Sequence, residues 1–151
     1  MREFPHHYSV SAVAHPEGEV ILKGEHLPAL ATAPPVEFDG PGNRWSPETL
    51  MAAAVADCFA LTFRGIARVS RLPWTALTCH VTGTLDRVDR ITQFTGFSID
   101  ALVQVPAGTS AEQARRALDR AEQTCLIANS LKGSSHLEAV VEVAEGELVA
   151  H

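Results

Sequence analysis

The sequence predicts an α+β fold, with mainly antiparallel sheet around one long central apolar helix. Three observations predict it. Residues 46–72, SPETLMAAAVADCFALTFRGIARVSRL, are nearly all apolar over a length that strands do not reach. Runs before and after this stretch alternate apolar and polar residues, joined by connections short enough for hairpins. A second helical period then precedes a last alternating run. At 151 residues the chain is about one domain's worth, so a single domain over 1–151 is expected. That length buries a core without disulfide staples.

Taken in order, residues 7–14 (HYSVSAVA) place Tyr8, Val10, Ala12 and Ala14 on one face, which is strand spacing. His15-Pro16-Glu17-Gly18 is a turn, and Val20-Ile21-Leu22 a second short strand, so the pair reads as a hairpin. Residues 28–43 are rich in proline and hold Gly40 and Gly42, which predicts a loop with one short edge strand near Val36–Phe38. Ser46 is a good N-cap for the long helix, Pro47 suits its first position, and Glu48 meets the positive end of the helix dipole. Asp57, Arg64, Arg68 and Arg71 make one narrow polar stripe, and Pro73 ends the helix. So apolar a helix must sit inside the protein. It is too apolar for one covered face, and a homodimer burying such helices against each other would meet that need.

Residues 74–86 alternate again, with Leu77, Cys79, Val81 and Leu85 on one face and Thr78, His80, Thr82, Thr84 and Asp86 on the other. Residues 92–105 put Phe97, Ile99, Ala101, Val103 and Val105 inward. The short link Arg87–Arg90 pairs the two runs antiparallel. A second helix begins near Ser110, with Ser110/Gln113 or Thr109/Glu112 as capping box. Ala114, Ala117, Leu118, Ala121 and Cys125 share its inner face, the helical period can extend through Leu126–Lys132, and Gly133 is a terminator. Leu137, Ala139, Val141 and Val143 make a last strand.

Composition excludes several classes. The net charge of −6 argues against a nucleic-acid binder, which would show a basic face. Asp57, Arg64 and Arg68 interrupt the best membrane-span candidate, and the N-terminus MREFPHHYSV lacks a signal peptide's apolar core. A cytoplasmic protein with no membrane partner is the expectation. Three cysteines do not make a secreted disulfide framework. His6, His7, His15, His26, His80, His136 and His151 show no structural zinc spacing, so no metal site is expected.

Cys58 and Cys125 carry the candidate chemistry. A thiolate can attack the weak O–O bond of a peroxide, become a sulfenic acid, and condense with a second thiol to a disulfide. Such a pair must come within about 6 Å between Cα atoms. The spacing alone equally allows two small buried core residues. Cys79, on an apolar strand face, reads as core. Trp45 and Phe59 could line an apolar pocket, or serve ordinary packing.

SPETLMAAAVADCFALTF resembles the signature of the OsmC/Ohr family of thiol-dependent hydroperoxide peroxidases: a Pro-Glu-Leu-like helix start, an alanine-rich turn, and Cys-Phe ten residues after the glutamate. AEQTCLIANSL resembles the family's second cysteine motif, and the likeness runs from the N-terminal hairpin to the C-terminal strand. The resemblance implies an OsmC-like fold, an intertwined homodimer with long central helices back to back, and active sites at the subunit interface. It implies Cys58 as the peroxidatic and Cys125 as the resolving thiol. Glu48 is implied as the glutamate that positions an arginine beside the thiolate. It further implies an organic hydroperoxide as substrate, an external dithiol of lipoyl type as reductant, and no metal, flavin or haem cofactor. Glu48 and Cys58 are ten residues apart, about 15 Å along one helix, so Glu48 is expected to serve the partner's site.

The chain also departs from that pattern. The family's hairpin turn carries an arginine; here no arginine lies between Arg2 and Arg44, and Lys23 is the only cation in that interval. Arg44, just before the helix, is the candidate replacement. Leu126 stands where the family more often has proline. Two other functions therefore stay open: a binder of small apolar ligands at the same pocket, and a redox sensor that passes oxidation to a partner protein.

Overall fold

The computed structural model describes residues 2–145 and places ten short or long elements in two units, Met1–Leu50 and Met51–His151. His151 lies outside the described residues.

In the first unit, β1 (Ser11–Val13), β2 (Val20–Lys23) and β3 (Leu30–Thr32) form an antiparallel sheet in that order. The expected hairpin is therefore present, although its first strand is confined to three exposed residues. Between β2 and β3 the Leu27 N–H bonds the Gly24 carbonyl at 3.1 Å, with His26 left-handed at φ 60°. The edge strand expected at Val36–Phe38 is a 3-10 turn, and the third strand is Leu30–Thr32 instead. The proline pair Pro34-Pro35 explains the change. Proline has no N–H for a ladder, whereas the Pro35 carbonyl accepts from both Phe38 and Gly40. Gly40 fits because a Cβ there would meet the Pro34 carbonyl oxygen at 1.7 Å.

Helix α1 is Pro47–Val69, starting at the end of the first unit and running into the second. Its start is a reciprocal cap. The Thr49 N–H donates to Ser46 Oγ at 3.1 Å and the Ser46 N–H to Thr49 Oγ1 at 2.9 Å. Its end precedes the expected stop at Pro73. Arg71 turns left-handed at φ 56°, and the N–H groups of Leu72 and Arg71 bond the carbonyls of Ala67 and Arg68. That is a Schellman termination with arginine where glycine is usual. Arg71 thus lies beyond the helix, while Asp57, Arg64 and Arg68 keep the exposed stripe expected of them.

The burial of α1 differs from expectation. One stripe, Val55, Phe59, Phe63 and Ala67, is fully buried, while Met51, Leu61 and Val69 are exposed in the single chain. By length and composition α1 could cross a membrane despite Asp57, Arg64 and Arg68. Its i, i+4 buried stripe instead joins the second unit's core.

The second sheet is β4 (Ala76–Val88), β5 (Ile91–Val105) and β6 (Ser134–Val143), in sequence order. β4 and β5 pair antiparallel through the two-residue turn Asp89-Arg90, both left-handed at φ 51° and 67°. Phe97, Ile99, Ala101, Val103 and Val105 all face the core, as the alternation predicts. Leu85 does not: a bulge between Thr84 and Leu85 shifts the register, and Leu85 is exposed.

Helix α2 (Ala111–Thr124) is capped by Ser110, whose Oγ accepts from the Gln113 N–H at 3.2 Å. It buries Ala114, Ala117, Leu118 and Ala121 against β5 and β6. The helical period does not run on to Lys132; Cys125 breaks it in an extended conformation, and α3 is only Leu126–Asn129. β6 then pairs with β5 in parallel, because a helix crossover returns the chain in the same direction.

Candidate active site

Cys58 stands mid-way along α1, half-buried, and its Sγ lies 3.9 Å from Thr62 Oγ1, one turn on. Cys125 caps α3 and is fully buried. The structure brings these two thiols together, and both are free. Burial pushes the Cys125 thiol up, and Cys58, as hydrogen-bond partner and like charge, pushes it the same way. The N–H groups of Ala128 and Ile127 at the start of α3 oppose this but do not win.

In the sequence Thr62 is marked only by its i+4 spacing from Cys58. It also borders a groove of about 410 Å3 lined by Gly65, Ile66, Arg68, Val69 and Arg120. The groove offers apolar walls near the Cys58 turn and two guanidinium groups at its lining.

The other expected residues are placed separately. Phe59 is fully buried among Val55, Phe63 and the sheet residues, which makes it a core side chain. Trp45 is half-exposed and lines a cleft of about 480 Å3 with Leu30, Ala31, Asn43, Arg44 and Thr49. Arg44 Nε donates to Glu19 Oε1, so this guanidinium already has a carboxylate. Glu48 stands at the start of α1, and its Oε2 is buried without a hydrogen-bond partner among the described residues. An orphaned carboxylate oxygen is costly, so a donor belongs there. Among the described residues, no three His, Cys, Asp or Glu side chains converge as metal ligands.

Cys79 faces inward from β4, packed against the core. Burial first, then the neighbouring Cys125 and Asp100, push its thiol up to about 11 from an ordinary 9.0. The native state therefore holds a proton that the unfolded chain releases above pH 9.0. This contribution to stability is complete below pH 9.0 and is lost as pH rises from there to about 11. Urea unfolding across this window should show the parent losing more stability than Cys79→Ala as pH rises, the difference being reduced by solvent screening of a thiol that is only partly buried. Equal losses would contradict the buried, charge-crowded position.

The OsmC-like protein family model matches residues 40–140. No curated protein matches the chain. Among solved structures, an OsmC-like protein of unknown function from Vibrio cholerae superposes with TM-score 0.81 at 18% identity, covering 90% of this chain and 100% of that one. An organic hydroperoxide resistance protein OsmC from Legionella pneumophila gives 0.72 at 23% identity, covering 93% and 100%. An organic hydroperoxide resistance protein from Elizabethkingia anophelis gives 0.72 at 17%, with the same coverage. These likenesses carry the fold, and with the family match over most of its length the chain belongs to the OsmC-like protein family.

Proposed function

We propose that the protein is a thiol-dependent peroxidase that reduces organic hydroperoxides in the cytoplasm. The observation that carries this is the meeting of two free thiols, half-buried Cys58 and buried Cys125. The Cys58 thiolate attacks the terminal peroxide oxygen, the O–O bond breaks, and the alkoxide takes a proton and leaves as alcohol. Cys58 is then a sulfenic acid. Cys125 attacks the Cys58 sulfur, the S–O bond breaks, water leaves, and a disulfide remains. An external dithiol, of lipoyl type by family resemblance, restores both thiols by two exchanges. The groove beside Thr62 supplies apolar wall for the organic part of the substrate. Trp45 and Arg44 line a cleft of their own, and Phe59 supports Cys58 from the core.

The same reading includes a homodimer. Exposed Met51, Leu61 and Val69 on α1 are apolar surface that a second copy would cover. A partner chain is also the proposed source of a donor for Glu48 Oε2. Sedimentation at micromolar concentration should give twice the 16.2 kDa chain mass; a monomer would remove the dimer from this reading.

Reduced protein given one equivalent of an organic hydroperoxide should lose two thiols within minutes, and Cys58→Ser should lose none at a comparable rate. Thiols that survive for hours would sink the peroxidase reading. The pairing of Arg44 with Glu19 favours a second reading, a small-molecule binder whose cysteines oxidise only incidentally. That outcome would support it.

A further inference from the structure

The groove beside Thr62 continues into a second one of about 310 Å3, and the two share Ile66, Ser70 and Arg120. Together they make a trough between the last turns of α1 and the first three turns of α2. At its far end Gln113 ties the two helices, its Nε2 donating to the Ser70 carbonyl at 3.5 Å. Three guanidinium groups, Arg68, Arg116 and Arg120, line the trough, and no carboxylate does. Among the described residues none of the three pairs with an acid. Arg116 also borders a neighbouring groove that holds Glu112 and Asp119, and it forms an ion pair with neither. In a chain of net charge −6 the trough is a local reversal of sign. Arg116 and Arg120 stand four apart on α2, where like charges repel. An anion between them removes that repulsion, and a guanidinium offers the paired N–H donors that match a carboxylate or a phosphate. The floor is apolar, with Ile66, Val69 and Ala117. Gly65 keeps it open: a Cβ there would meet nothing within 4 Å, so packing within the chain does not require a residue that weakens a helix.

We propose that this trough binds a small amphipathic anion, its carboxylate or phosphate head held by Arg116 and Arg120 and its apolar chain laid over Ile66 toward Gly65 and Thr62. Either groove alone falls within the roughly 300–1,000 Å3 of small-molecule sites. Charge places the head and the floor places the chain. A bare inorganic anion would leave Ile66, Val69 and Ala117 wet, and a neutral apolar molecule would leave the guanidinium groups without a partner. Gly65 shares its side of α1 with Leu61 and Val69, four residues away in either direction. A second copy in the proposed dimer would therefore roof the chain end, while Arg116 and Gln113 stand apart on α2 at the head end. The chain end adjoins the wall that the peroxidase reading gives to its substrate, but the inference needs only the trough and not the reaction of Cys58.

Calorimetric titration of the reduced protein with octanoate, octyl phosphate, 1-octanol and inorganic phosphate tests this. No probe carries a peroxide bond, so the result is independent of peroxidase activity. At least one octyl anion should bind about tenfold or more tightly than both 1-octanol and inorganic phosphate, and its affinity should fall as salt is raised. The tighter of the two octyl anions identifies the head group. Arg116→Gln/Arg120→Gln should weaken that anion at least about tenfold and leave 1-octanol unchanged. Both arginines are exposed, so this variant should keep the parent's circular dichroism. Arg115→Gln, which removes an adjacent charge that lines neither groove, should change nothing. Three results would each overturn the proposal: 1-octanol or inorganic phosphate binding as tightly as the octyl anions, anion binding that survives Arg116→Gln/Arg120→Gln, or an equal loss in Arg115→Gln.

Discussion

Phe63→Ala should destabilise the protein by about 3–5 kcal/mol, measured as a drop in the urea midpoint with little change in slope. Phe63 is fully buried, and its ring meets Trp74 edge-to-face at a centroid distance of 5.3 Å. It is one of four residues that fasten α1 to the second unit's core, with Val55, Phe59 and Ala67 at four-residue spacing. Removing the ring loses its transfer free energy, leaves a cavity the sheet cannot close, and breaks the aromatic pair. A typical domain has only about 5–15 kcal/mol in total, so much of the native population is at stake. A loss below about 1 kcal/mol would mean that α1 is not held by this stripe.

The second large effect concerns Cys125→Ser. The substitution keeps the shape of a fully buried side chain but removes the nucleophile beside Cys58. Under the peroxidase reading, the Cys58 sulfenic acid then has no adjacent thiol to condense with. Excess hydroperoxide should carry it on to sulfinic and sulfonic acid, seen by intact mass as gains of about 32 and 48 Da. Turnover with a dithiol reductant should fall to about one event per chain before inactivation. The parent, resolving to a disulfide, should instead lose about 2 Da. Sustained turnover by Cys125→Ser would show that another group, from solvent or protein, resolves Cys58.

Much of the molecule was legible in residue order alone, wherever local physics decides. The 3.6-residue period of α1 and α2 and the two-residue period of β5 depend on nothing but side-chain direction along one element. Hence the inward side of Phe97, Ile99, Ala101, Val103 and Val105 and the caps at Ser46 and Ser110 follow from residue order without any knowledge of packing. The two cysteine motifs were equally plain as a pattern within one element each. The failures sit where a distant segment decides. Leu85 fits the alternation of β4, but the extra residue Thr95 on the partner strand produces the bulge that turns it out. One failure is local: Val36–Phe38 has strand-like residues, but the adjacent Pro35 carbonyl captures the N–H groups of Phe38 and Gly40.

For the site the division is the same. The sequence by itself determined an apolar helix with a thiol at its middle and a second thiol at the end of an alanine-faced helix. It determined the family too, through the spacing of Glu48, Cys58 and Cys125. Only the tertiary structure decided that Cys58 and Cys125 meet, and that α1 buries one stripe and leaves Leu61 and Val69 open. It also decided that Arg44 already holds Glu19, and that Cys79 packs against the core, as its pattern on β4 predicts. The physical reason is that periodicity reports which face of an element is apolar. Which other face it meets depends on strand register, a helix crossover and the small side chains that allow two layers to close.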